Sequence, residues 1–177
     1  MSDVDSSRHV LPDVLQPGLR LVFCGTAAGT RSARDGAYYA HPGNMFWRAV
    51  HAVGLTPRLL APAEYPLMIG FGIGFTDLAK FHHGNDNQLP SDAFDVDALR
   101  RKIERFAPRA IAFTSKHAGI AALGKRTAIG AQPATFGGAR AWVLPSPSGQ
   151  ARGSWNLATW QAMADEVTRQ GAPGVER

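Results

Sequence analysis

The sequence predicts an α/β fold, a three-layer α/β/α sandwich with a short, mainly parallel central sheet. Two observations carry this. Short apolar runs closed by glycine or proline alternate with segments whose apolar residues recur at helical spacing, the pattern of strands joined by crossover helices. The length, 177 residues, suits one hydrophobic core, because cores divide into separate domains only beyond roughly 250 residues.

In chain order, residues 1–18 hold Ser6, Ser7, Pro12, Pro17 and Gly18 without periodicity and are expected to be a flexible tail, as are residues 171–177. The single folded domain is expected over 19–170. Leu19 to Cys24 is an apolar run closed by Gly25, a buried parallel strand that delivers a glycine-rich loop at its carboxyl end. Asn44 to Val53 places Phe46, Trp47, Val50 and Val53 on one helical face. Glu64 to Gly70 reads as a short helix despite Pro66, and Ile73 to Thr76 as a brief strand. Asp95 to Phe106 sets Val96, Leu99, Ile103 and Phe106 at helical spacing with basic residues opposite, and Pro108 ends it. Ala110 to Thr114 is the next strand, Ser115 caps a helix through Ala122, and Ala139 to Leu144 is a further strand before Pro145. Ser154 is the expected cap of the final helix, which runs through Val167. In such a sheet the loops at the strand carboxyl ends form the site, which draws attention to those at Gly25, Asp77 and Pro145.

Composition narrows the function. Nineteen Lys and Arg against fourteen Asp and Glu leave a net charge of +5, mostly arginine, which favours a polyanionic partner modestly. The single Cys24 lies in an apolar run, which excludes an intramolecular disulfide or a multi-cysteine metal site and points to a reducing, cytoplasmic compartment. No apolar run reaches the roughly 18 residues of a membrane span, and the polar N-terminus does not read as a secretory signal. No metal-ligand spacing stands out, so neither metal nor cofactor is expected. The glycines at 70, 72 and 74 lack the strand-turn-helix setting and acidic partner of a dinucleotide fingerprint.

Two segments carry chemistry. The first is Gly25-Thr26-Ala27-Ala28-Gly29 followed by Tyr38-Tyr39-Ala40-His41-Pro42-Gly43-Asn44-Met45-Phe46-Trp47; the second is Leu144-Pro145-Ser146-Pro147-Ser148-Gly149-Gln150-Ala151-Arg152. They resemble the two active-site motifs of the uracil-DNA glycosylase superfamily, in its mismatch-specific uracil/thymine branch, which read G-I-N-P-G, then F-A-H-P-x-N-x-F-W, and later N-P-S-G-L-S-R. The resemblance covers most of residues 20–168. It implies a monofunctional enzyme that flips uracil out of DNA, single- or double-stranded, and hydrolyses its N-glycosidic bond to leave an abasic site. The expected protein is a monomer with DNA as partner and no membrane association. A catalytically inactive binder of damaged DNA and a glycosylase for another deaminated base, such as hypoxanthine, are the alternative readings.

Residue roles follow from the match. Backbone amides from Thr26 through Gly29 could donate to a pyrimidine oxygen as negative charge builds on the departing base, with Gly25 and Gly29 allowing close approach; a tight turn without a ligand is the plainer alternative. Tyr39 matches the stacking aromatic, or is simply core. Asn44 could read the uracil edge or cap the helix beside it. Ser32 and Ala33 resemble the residues beside the fifth position of the base. Ser146, Pro147, Ser148, Gly149, Gln150 and Arg152 match the loop that enters the DNA helix, with Gln150 in place of the usual leucine wedge. Ala27 replaces the family's asparagine, which positions the attacking water. Asp77, in a Thr76-Asp77-Leu78 run resembling a subset of the family, is the first choice for the missing carboxylate; capping a turn or pairing with Lys80 is its alternative role. Asp35, Glu64 and Asp86 are weaker candidates. His82 and His83 could meet DNA phosphates or simply lie in a solvated loop.

Overall fold

Leu21–Ala28 forms strand β1, whose side chains alternate between two cores: Leu21 and Phe23 face one, Val22 and Cys24 the other. The computed structural model describes residues 6–149, 153 and 155–170. Strands β2 (Ile73–His83), β3 (Ala110–Phe113), β4 (Gly130–Phe136) and β5 (Ala139–Val143) complete a sheet of order β2-β1-β3-β5-β4. All neighbours are parallel except β4 and β5. This is the predicted mainly parallel sheet, with an antiparallel strand at one edge.

Helices cover both faces. On one, α2 (Phe46–Ala52) and α5 (Leu157–Gln170) bring Phe46, Trp47, Val50, Trp160, Met163 and Val167 against Phe23, Phe75 and Ala112. On the other, α3 (Val96–Phe106) and α4 (Lys116–Leu123) bring Leu99, Ile103 and Ala118 against Val22, Ile111, Phe113 and Val143. The caps of α3 and α4 follow helix rules: the Asp95 side chain accepts from the Ala98 amide and the Ser115 hydroxyl from the Ala118 amide. The first face is aromatic and the second largely aliphatic. Phe23 meets Phe46 edge-on at 4.9 Å and lies nearly parallel to Trp160 at 5.9 Å.

The structure departs from the sequence expectations in several places. The expected N-terminal tail packs from residue 10 onward: Leu11 is buried, the Val10 amide donates to the Lys80 carbonyl, and Val14 exchanges backbone hydrogen bonds with Phe75. An isolated apolar residue such as Leu11 shows no periodicity, so nothing local reveals that it docks. Strand β2 continues seven residues past Thr76, to His83, so Asp77 lies within a strand rather than in a loop. β4 escapes a propensity reading because it contains Pro133 and lacks alternation, both tolerated at a sheet edge that also carries a register irregularity. It joins β5 through Gly137 and Gly138, both at positive φ, the two-residue turn that suits a hairpin twist. The short polar helix α1 (Thr30–Asp35) also went unpredicted. Pro62–Phe71, expected as a short helix over 64–70, is a 3-10 helix that carries Pro66 inside it. The Ser154 cap and the C-terminal tail lie outside the described residues.

Candidate active site

Strands β1 and β2 run beyond the carboxyl end of β3. Pairing of β1 with β3 ends at Cys24–Phe113, while pairing with β2 goes on through Gly25–Asp77 and Ala27–Ala79. From Gly25 onward one edge of β1 therefore fronts open space. That space is a cleft of about 1130 Å³ lined by Gly25 to Ser32, Tyr39, Asn44, Asp77, Thr114 and Pro145 to Gly149, among others. The Gly25 to Gly29 segment expected as a loop is thus strand through Ala28, with a register irregularity between Ala27 and Ala28.

Asp77 occupies the floor of this cleft. Its side chain is 6% exposed. The position a Cβ on Gly25 would take is 2.8 Å from Asp77 Oδ1, 3.5 Å from Thr114 Oγ1 and 3.5 Å from the Tyr39 hydroxyl. Three oxygens therefore converge over Gly25, and a methyl group there would displace the Asp77 oxygen while meeting the other two at ordinary contact distance. Burial pushes the Asp77 carboxyl up to about 6; Lys80 opposes this, Asp13 adds to it, and the Gly25 amide and Lys102 pull it back. The suggested partnership with Lys80 is not a direct one, since the Lys80 ammonium is spent on Asp13 at 2.9 Å and on the Tyr38 hydroxyl at 3.1 Å.

Tyr39 stands at φ 53°, a left-handed conformation that is uncommon for a bulky side chain and costs about 1–3 kcal/mol. The surroundings hold it there. Its ring stacks on Phe46 with centroids 4.0 Å apart and planes 13° apart, and its hydroxyl shares a 3.1 Å hydrogen bond with Thr114 Oγ1. On either side, Trp47 Nε1 donates to the Tyr38 carbonyl at 3.0 Å, and the Ala40 amide donates to Ser32 Oγ at 3.0 Å. Ser32 is thus buried and committed to shaping the wall, although it also lines the cleft.

Asn44 lies one residue before Met45, the cap position of α2: its Oδ1 accepts from the Phe46 amide at 2.9 Å, holding the turn into the helix, while the residue lines the cleft. His41 Nδ1 accepts from the Gly43 amide at 2.9 Å, shaping the same turn. The two sequence motifs meet here. The Met45 amide donates to the Pro147 carbonyl at 2.8 Å, and Gly149 packs close to the Gly43 carbonyl. The Ser148 amide donates to Ser146 Oγ at 3.2 Å, which tightens the second loop. Gln150 and Arg152 lie outside the described residues.

Of the weaker carboxylates, Asp35 is bound by Arg31 and Arg34, and Glu64 by Arg58. Asp86 does line the cleft, where it accepts a 2.7 Å hydrogen bond from Thr26 Oγ1 and ties the 84–88 turn to β1. His82 and His83 do not line it. Sequence reading missed Thr114, yet the signal was present: a hydroxyl directly after an apolar parallel strand, at the same carboxyl edge that singled out Gly25. Among the described residues, no group of three or more His, Cys, Asp or Glu is placed to hold a metal ion, and no helix is long and apolar enough to cross a membrane.

Comparison with known proteins bears on the fold and the family. The fold is similar to the solution NMR structure of a candidate uracil DNA glycosylase from Methanosarcina acetivorans, with a TM-score of 0.61 and 24% identity over 89% of this chain and 96% of that chain. Residues 12–165 match the profile described as the uracil DNA glycosylase superfamily. That range takes in all five strands, the packed segment from Pro12 and both loops that meet across the cleft, and on this basis the chain belongs to the uracil DNA glycosylase superfamily.

Proposed function

We propose that the protein excises uracil from DNA as a monofunctional glycosylase, with Asp77 as general base and electrostatic stabiliser. The observation that carries this reading is the buried Asp77 carboxylate under the cleft, ringed by the Tyr39 and Thr114 hydroxyls where Ala27 offers no polar group. Cleavage of the C1′–N bond sends its electron pair to the base and leaves positive charge on the sugar. A carboxylate beneath the sugar stabilises that charge and accepts a proton from the water whose oxygen bonds to C1′. The segment from Thr26 to Gly29, the end of β1 and the residue after it, supplies amide donors to the departing base. Phe46 covers one face of the Tyr39 ring, which leaves the other for stacking on the pyrimidine, worth roughly 1–3 kcal/mol. Ser146 to Gly149 belongs to the loop that meets DNA, and the net charge of +5 favours its phosphates.

Release of uracil from labelled single-stranded and duplex DNA tests the proposal, with hypoxanthine substrates run alongside. Uracil release by wild type and loss of it in Asp77→Asn are expected. No release from either form of DNA rejects the activity, and release of hypoxanthine alone reassigns the substrate. Tight binding without release identifies a DNA-binding protein that has lost catalysis. Full activity in Asp77→Asn removes Asp77 from the mechanism and leaves the activity standing.

A further inference from the structure

Asp13 is the hub of a partly buried charge cluster that the reaction scheme above leaves unused. Its Oδ1 lies 2.9 Å from Lys80 Nζ and accepts from Thr76 Oγ1 at 2.8 Å, and its Oδ2 lies 2.7 Å from Lys102 Nζ. The cluster joins the N-terminal segment, β2 and α3. Lys80 is only 6% exposed and donates to the Tyr38 hydroxyl, which in turn donates to the Pro12 carbonyl at 2.9 Å. Tyr38 lines the cleft next to Tyr39.

Charge counting makes the cluster informative. Ions partly withdrawn from water need compensation, and here two ammonium groups share one carboxylate, which leaves one positive charge in excess. Asp77 directly follows Thr76, whose hydroxyl Asp13 holds, and is the acid that can balance it. Burial opposes the charge on Asp77, Lys80 and Lys102 favour it, and Asp13 disfavours it. The other titratable groups facing Asp77 add no charge: burial, reinforced by Asp77 itself, drives Cys24 on β1 and both Tyr38 and Tyr39 toward their neutral forms.

We propose that Lys80, held by Asp13 and Tyr38, is a positioning residue for the Asp77 carboxylate: the positive charge in excess within Asp13, Lys80 and Lys102 sets the pH at which Asp77 ionises, and the N-terminal segment limits that excess by carrying Asp13. The role in the reaction rests on Asp77 acting as the base; the electrostatic coupling does not. The two ion-pair partners therefore act in opposite directions. Removing Lys80 takes away the positive charge that favours the carboxylate, whereas neutralising Asp13 takes away a negative charge that opposes it.

The test follows the Asp77 carboxyl carbon by NMR titration in the full-length protein, comparing wild type with Lys80→Met, Lys102→Met and Asp13→Asn. The midpoint is expected to rise by roughly one pH unit in Lys80→Met, to rise less in Lys102→Met, and to fall in Asp13→Asn. A purely structural ion pair does not produce opposite signs. Lys102, with 24% of its side chain exposed, carries the upward arm if Lys80→Met does not fold. Midpoints that stay put, or that move the same way for Asp13 and the lysines, overturn the proposal. The acid limb of the base-release rate is then measured on the same variants and is expected to track the NMR midpoint; a midpoint that moves without the limb overturns the positioning role. Midpoints with the expected signs in a protein that releases no base uphold the coupling and reject the glycosylase reading alone.

Discussion

Asp77 and Glu64 show how differently one fold treats two carboxylates. Glu64 sits on the exposed turn that opens Pro62–Phe71, where Arg58 grips it with a two-pronged contact at 2.8 and 3.0 Å and the Ala61 amide adds a third hydrogen bond. Those partners, Arg58 first, lower its pKa to about 2. Asp77 has no ion-pair partner of its own among the described residues, and burial raises it to about 6. The carboxylate with every partner is a structural clip. The one with few partners and little water is poised to exchange a proton near neutral pH.

The comparison breaks most sharply at activity. Asp77→Asn is expected to slow single-turnover uracil release by about 100-fold or more, while Glu64→Gln leaves it within about twofold. In wild type the rate should fall about tenfold per pH unit below the Asp77 value of about 6, because only the carboxylate can take the proton. A rate that stays flat down to pH 5 would contradict the assignment of Asp77 as base.

Stability gives the next largest effect, with opposite signs at the two sites. The folded value of Asp77, about 6, lies above its ordinary value of 3.8. The protonated form is therefore favoured by folding, and stability is lost as pH rises from about 4 through 6. Asp77→Asn should thus be more stable than wild type at pH 8, by up to about 3 kcal/mol in urea titrations, with the gain fading below pH 6. Glu64 runs the other way: its contribution is present above 4.5 and is lost as pH falls toward 2. Solvent screens it, so Glu64→Gln should move the melting temperature at pH 7 by no more than about 2 °C.

Gly25→Ala sharpens the Asp77 side of the comparison. A methyl group there would stand 2.8 Å from Asp77 Oδ1, so the carboxylate must shift. A roughly tenfold loss of base release with a smaller effect on folding is expected, read by kinetics and thermal melting together. An unchanged rate would show that the position of Oδ1 over Gly25 is not critical.

Much of the fold was legible locally. Four of the five strands and all the helices with a strong apolar face followed from periodicity and caps, because α3, for example, repeats Leu99 and Ile103 against a basic opposite face. β4 did not, because an edge strand with Pro133 is held by its partner rather than by its own pattern. Leu11 and Asp13 carry no local signal, because isolated residues become meaningful only against Phe75, Lys80 and Lys102.

The site divides in the same way. Resemblance to the superfamily's motifs placed Gly25, Tyr39, Asn44 and Ser146 to Gly149 among the candidates, and the search for a carboxylate at the carboxyl end of a strand added Asp77. Only the tertiary structure decided that Asp77 is buried beside Gly25 in mid-strand, that Tyr39 is strained and tied to Thr114, and that Lys80 answers to Asp13. Burial and charge balance are sums over neighbours distant in sequence, here 52 residues apart for Gly25 and Asp77 and 67 for Asp13 and Lys80. No local pattern encodes such sums, whereas periodicity, capping and turn chemistry are local and can be read directly from the chain.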